Sequence, residues 1–71
     1  MKLVINGHSH TLSLEQTSVH SVLTHFNLNP LQVSVELNGT WHQKNMFKSL
    51  SVKDGDVLEI VHFVGGGAPS I

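Results

Sequence analysis

The residues with the clearest chemical use in this chain are three that have no side chains. Gly65-Gly66-Gly67 end a strand-like run, Glu59-Ile-Val-His-Phe-Val64, and are followed by Ala68-Pro69-Ser70-Ile71. Glycine adds nothing to a core, and its backbone loses more freedom on ordering than any other residue. Consecutive glycines therefore suit a chain end that has to be threaded into another protein's narrow active site, where its acyl carbon is the reacting atom. A phosphate-cradling loop is the other chemistry open to such a run. It fails because no helix, lysine or Ser/Thr follows in Walker register. A linker end with no role is the plain alternative, and the rest of the chain has to decide.

The six histidines raise a metal site. His8 and His10 are spaced to share one side of a strand. His20 and His25, five apart, do not share a helical face. Spacing supplies no further ligand, and the absence of cysteine excludes thiolate metal sites, disulfides and thiol nucleophiles. Solvated surface histidines are the expectation, with no metal and no catalytic side chain. The formal charge is −1 without any arginine, and Lys2, Lys44, Lys48 and Lys53 are scattered, which sets nucleic acid aside. No apolar run approaches the ~18 residues of a membrane span, and the Met1-Lys2-Leu3-Val4-Ile5 start is too short for a signal peptide. A cystine-free domain of this kind points to the cytoplasm.

At 71 residues the chain is one domain that buries only about 60% of its unfolded surface, so every element must serve one core. Lys2-Leu-Val-Ile5 reads as a strand, Asn6-Gly7 as a hairpin turn, and Thr11-Leu-Ser-Leu14 as the returning strand with Leu12 and Leu14 inward. Val19, Val22, Leu23 and Phe26 recur at the spacing of an amphipathic helix, with Thr17 or Ser18 as N-cap. Asn27-Leu-Asn-Pro30 should end it, because proline forces the preceding residue out of the α region. Val33, Val35 and Leu37 alternate in a third strand. Asn38-Gly39 is a second turn, leading into Thr40-Trp41-His42-Gln43. Residues 44–53 have no period, and Met46, Phe47 and Leu50 are expected to anchor them. Lys53-Asp-Gly-Asp56 is a turn before the most apolar strand, Val57 to Val64. The order β-β-α-β-β-β predicts an α+β chain, a mixed sheet clasping one helix in a ubiquitin-like β-grasp. Residues 1–64 would form that domain, and 65–71 a flexible glycine-rich arm with a short extension.

In order and spacing, Asn6-Gly7, Val33-Ser-Val-Glu-Leu-Asn-Gly39 and Asp54-Gly-Asp-Val-Leu-Glu-Ile-Val-His-Phe-Val-Gly-Gly-Gly67 resemble ThiS, the sulfur carrier of thiamine thiazole biosynthesis. The resemblance covers residues 1–67. It implies that the first and last strands lie side by side and parallel. It also implies that the Gly67 carboxylate attacks the α-phosphate of ATP on an E1-like adenylating enzyme of the ThiF/MoeB type. Sulfur from a desulfurase or rhodanese-type donor then displaces AMP, leaving a thiocarboxylate that a ThiG-type thiazole synthase consumes. The carrier binds no cofactor; ATP belongs to its partner. Two features depart from the family. An arginine common after the second Asn-Gly turn is absent, and Lys44 stands in for it. The glycines are also not terminal. While Gly67 is bonded to Ala68 its carbonyl is an amide, so the chain as written is inert toward adenylation. Hydrolysis of that bond would expose Gly67, and some sulfur carriers of this superfamily have short tails removed by a JAMM-type zinc metallopeptidase; a truncated fusion is the alternative.

Val61 and Phe63 share the face opposite Leu58 and Ile60. They form either a docking patch beside the arm or, together with Trp41, ordinary cover for the sheet's second face. Trp41 is read as an interface anchor or a half-buried structural residue. His62 and Lys44 join the docking set on the resemblance. Carriers for cysteine, molybdopterin or another sulfur-containing metabolite share the activation chemistry and remain open. So does a ubiquitin-like binding module that never forms a thiocarboxylate.

Overall fold

The computed structural model describes the chain except Leu14, Gln16, Gly65–Gly67 and Ile71; for residues 63, 64 and 68–70 it describes the backbone alone. Asn6 and Gly7 take positive φ angles of 51° and 83°, the pattern of a type I′ turn, whose twist matches the strands on either side. The two-residue turn fixes the register of β1 (Lys2–Ile5) against β2 (His8–Thr11), with Ile5 opposite His8 and Lys2 opposite Thr11. The second strand thus begins at His8 rather than Thr11. Leu12 lies just past its end, buried, and exchanges backbone hydrogen bonds with Met1. The expectation for Leu14 falls outside the described residues.

The single α-helix among the described residues, α1 (Val19–His25), buries Val19, Val22 and Leu23. Ser18, not Thr17, caps it: its Oγ accepts from the Ser21 N–H at 3.0 Å. Proline does not end this helix. Asn27 turns left-handed at φ 60°, the Leu28 N–H donates to the Leu23 carbonyl at 2.9 Å, and the Asn27 N–H donates to that of Thr24 at 3.0 Å. That is a Schellman closure, with asparagine in the place glycine usually takes. Pro30 instead opens a 3₁₀ turn, Pro30–Gln32, which the Asn29 side chain caps at Leu31 N–H.

β3 (Val33–Leu37) and β4 (Thr40–His42) form the second hairpin around Asn38-Gly39, again with both φ angles positive. β5 (Val57–Val64) lies between β1, to which it is parallel, and β3, to which it is antiparallel. The sheet order is β2-β1-β5-β3-β4. A short β6 (Ala68–Ser70) pairs antiparallel with the end of β5. His62 faces Val33 across one edge and Ser70 across the other, so β6 takes the edge that β1 leaves free after Ile5. The sequence had placed these residues in a flexible extension.

One face of this mixed sheet, a β-grasp, packs on the helix. Leu3, Ile5, Val33, Val35, Leu58 and Ile60 meet Val19, Val22 and Leu23 there. Residues 44–52 close the core. Phe47 is fully buried, Val52 nearly so, and Leu50 packs against the core's edge, whereas Met46 is 45% exposed and anchors nothing.

Candidate functional site

The glycines follow β5 in sequence, and side chains from both hairpin turns hold that strand. Each hairpin asparagine reaches it. The Asn6 side chain pairs with both backbone groups of Ile60: Oδ1 accepts from the Ile60 N–H at 2.7 Å and Nδ2 donates to its carbonyl at 3.3 Å. It continues the ladder one step beyond the last β1 residue. Asn38 does the matching work on the other side, its Oδ1 accepting from the Val57 N–H at 2.9 Å. Sequence reading took both residues as turn formers only. The signal was there, since asparagine at a positive φ also offers an amide that can pair with a neighbouring backbone.

The start of β5 is fixed by Asp56, a third residue whose part the sequence did not disclose. Asp56 is 4% exposed. Its carboxylate accepts from the Lys53 N–H at 2.8 Å, Asn38 Nδ2 at 3.0 Å and Lys53 Nζ at 3.2 Å. Burial alone would push this carboxyl up. The hydrogen bonds from Asn38 and from the Lys53 backbone and ammonium outweigh that and hold it below the usual carboxylate range. The Asp54 side chain accepts from the Lys2 N–H at 2.7 Å, tying the same turn to β1.

The docking set proposed from sequence does not form one surface. Val61 and His62 are neighbours on a strand and face opposite sides. Val61, half-buried, lies on the outer face opposite Ser34. His62 lies on the helix side and lines a groove of about 440 Å³ with Ile5, Phe26, Ile60, His8 and His10. His8 and His10 do share one side of β2, and His10 meets Phe26 edge-on at 5.1 Å. His25 packs on Phe26 from another side at 5.0 Å, and His20 lies apart, beside Lys44 and Lys48. Among the described residues no three His, Asp or Glu side chains could hold a metal ion.

Trp41 is 54% exposed and lies outside the buried core. It lines a second groove with Lys44 and the exposed Leu31. The docking set is therefore split: Val61 and Trp41 share the outer face, His62 lies on the helix side, and Lys44 borders the sheet's β4 edge. The side chain of Phe63, and Gly65, Gly66 and Gly67, lie outside the described residues.

The sequence model of the ThiS family matches residues 3–67, from the first strand to the last glycine. The chain belongs to the ThiS family. Its similarity to the sulfur carrier protein ThiS of Bacillus subtilis is 34% identity over 65 residues, 92% of this chain and 98% of that protein. The crystal structure of ThiS from Geobacter metallireducens superposes with a TM-score of 0.78 at 35% identity, covering 94% of this chain and all of that one. A thiazole synthase of Paramagnetospirillum magneticum is 41% identical over 68 residues, 96% of this chain. The chain spans only about a fifth of that synthase's length, 21%. A ThiS-like region thus also occurs as one part of a longer thiazole synthase. No helix among the described residues is long and apolar enough to cross a membrane.

Proposed function

We propose that this protein carries sulfur as a thiocarboxylate on Gly67, for thiazole formation in thiamine biosynthesis. The observation that carries the reading is where the family match stops: it includes Gly67 and excludes Ala68. The chemistry needs that boundary. A free Gly67 carboxylate oxygen attacks the α-phosphorus of ATP, pyrophosphate leaves, and an acyl-adenylate forms. The donor's persulfide sulfur then attacks the acyl carbon and AMP departs; a thiol outside this chain cleaves the resulting acyl disulfide, taking the donor's sulfur into a new disulfide and leaving the thiocarboxylate. None of this can begin while the acyl carbon is bonded to the Ala68 nitrogen, so the Gly67–Ala68 bond must first be hydrolysed, the work of a JAMM-type peptidase.

The carrier supplies no acid, base or metal. Its contribution is position, which converts an encounter of free reactants into one held in geometry. The domain, residues 1–64, presents the glycines 65–67 from a strand clamped on both sides by Asn6 and Asn38. Gly65, Gly66 and Gly67 let the end pass into a site too narrow for side chains. An E1-like adenylating enzyme, a desulfurase or rhodanese-type donor and a ThiG-type synthase are the partners, in the cytoplasm. The synthase is favoured as acceptor over enzymes of cysteine or molybdopterin synthesis, because a ThiS-like region occurs within a thiazole synthase.

The test compares three chains with the activating enzyme and ATP: residues 1–71, residues 1–67, and residues 1–67 with Gly67→Ala. The 1–67 chain should support ATP–pyrophosphate exchange and, with a sulfur donor, gain the mass of an oxygen-to-sulfur replacement. The 1–71 chain should do neither until cut, and Gly67→Ala should lose most exchange with its fold intact. No exchange by either chain would overturn the proposal in favour of a binding module, and equal exchange by 1–67 and 1–71 would refute the need for the cut.

A further inference from the structure

The outer face of the sheet sets two like charges side by side. Glu36 on β3 and Glu59 on β5 stand directly opposite each other. Their alternating neighbours Val35 and Ile60 are buried against the helix, so both carboxylates are on the face away from it. Opposite residues of an antiparallel pair have Cβ atoms about 5 Å apart, and like charges there repel. Among the described residues neither carboxylate has an ion-pair partner. The one ion pair among the described residues is Lys53 with Asp56.

The surroundings are apolar. Glu59 lies between Val57, 43% exposed, and Val61 on the same face. Trp41, 54% exposed, stands opposite Glu36 on its other side. Exposed apolar groups framing an unneutralised pair of like charges make a surface complementary to one kind of partner: a cationic side chain set among apolar ones. Arginine fits this best, since its planar guanidinium can donate to two carboxylates at once and stack on an indole.

We propose that Glu36 and Glu59 together grip one arginine or lysine on the surface of the thiazole synthase, with Trp41, Val57 and Val61 packing around it. This rests on the reading that the synthase is the sulfur acceptor. The synthase is chosen because a ThiS-like region belongs to the same chain as a thiazole synthase in one relative. The contact places the outer face of β5 against the enzyme, close to where the glycines leave the strand.

The experiment measures binding of this protein to the thiazole synthase of its own organism by isothermal titration, at low and high salt, with Glu36→Gln, Glu59→Gln and the double variant. Each single change should weaken binding roughly tenfold and flatten its salt dependence. The double variant should fall by less than the product of the two, because both carboxylates serve one cation. Urea unfolding should show the variants as stable as the parent or more so, which separates lost binding from lost folding. Binding by the parent that the variants do not weaken would overturn the grip and leave the acceptor standing. No binding by the parent would refute the acceptor and the grip together.

Discussion

Replacing Asp56 with asparagine keeps the size and shape of the side chain and removes its charge. The structure gives the cost. In one carboxylate both oxygens accept, Oδ2 from the Lys53 N–H and Oδ1 from Asn38 Nδ2 and Lys53 Nζ. An amide has one acceptor oxygen. Whichever way it is flipped, its NH₂ faces a donor, either the Lys53 N–H or Asn38 Nδ2, and a part-buried donor loses its partner. Leaving such a group unsatisfied costs roughly 1–3 kcal/mol. The Lys53 ammonium adds little, because that side chain is 80% exposed. A loss of about 2 kcal/mol lowers Tm by roughly 8–16 °C in a domain of this size. The effect should also depend on acid in a definite direction. The folded-state pKa of Asp56 is lowered, so its contribution is fully present above the ordinary carboxylate value of about 3.9 and is lost as pH falls through the folded value. Urea unfolding of parent and Asp56→Asn from pH 7 down to pH 2 checks both points. The gap should be widest at neutral pH and narrow below about pH 4. A gap under about 0.5 kcal/mol at pH 7, or one that does not change with pH, would refute the argument that this ionised carboxylate fastens the turn.

Phe47→Ala should cost about 3–5 kcal/mol, since the ring is fully buried. The whole chain holds only about 4–11 kcal/mol by size, so circular dichroism should find this variant partly or wholly unfolded near 37 °C. Asn27→Gly should be neutral or slightly stabilising in thermal melts and Asn27→Ala destabilising by roughly 1 kcal/mol, because the position is left-handed. Trp41→Ala should leave urea stability within about 0.5 kcal/mol while weakening partner binding, as an exposed side chain contributes little to the core.

Elements written in strong local code were legible in the residues. Val33–Leu37 and Val57–Val64 occupy the spans their alternation and apolar runs indicated. Val19, Val22 and Leu23 announced the buried stripe of the helix, and both Asn-Gly pairs marked their turns. What stayed hidden had its information elsewhere. His8-Ser9-His10-Thr11 forms a strand at the sheet edge, mostly exposed and partnered on one side, so it carries no apolar alternation to read. Pro30 looked like the end of the helix, but the closure depends on backbone geometry at Asn27 that asparagine permits without advertising. Residues 44–52 are placed by the core they cover, and only Phe47 and Val52 are deep enough in it to matter. Asp56 and the two turn asparagines act through partners far along the chain, which no local pattern encodes. The splitting of Val61 from His62, by contrast, was available from strand alternation alone.

The placement of β5 between β1 and β3 has a mechanical consequence. Tension applied at the C-terminal end of β5 acts along the axis of a strand bonded to a neighbour on each side. Backbone links crossing that axis are loaded in shear, all at once, rather than peeled open one by one. A pull on that end therefore meets many links together, and the body of the domain keeps its shape.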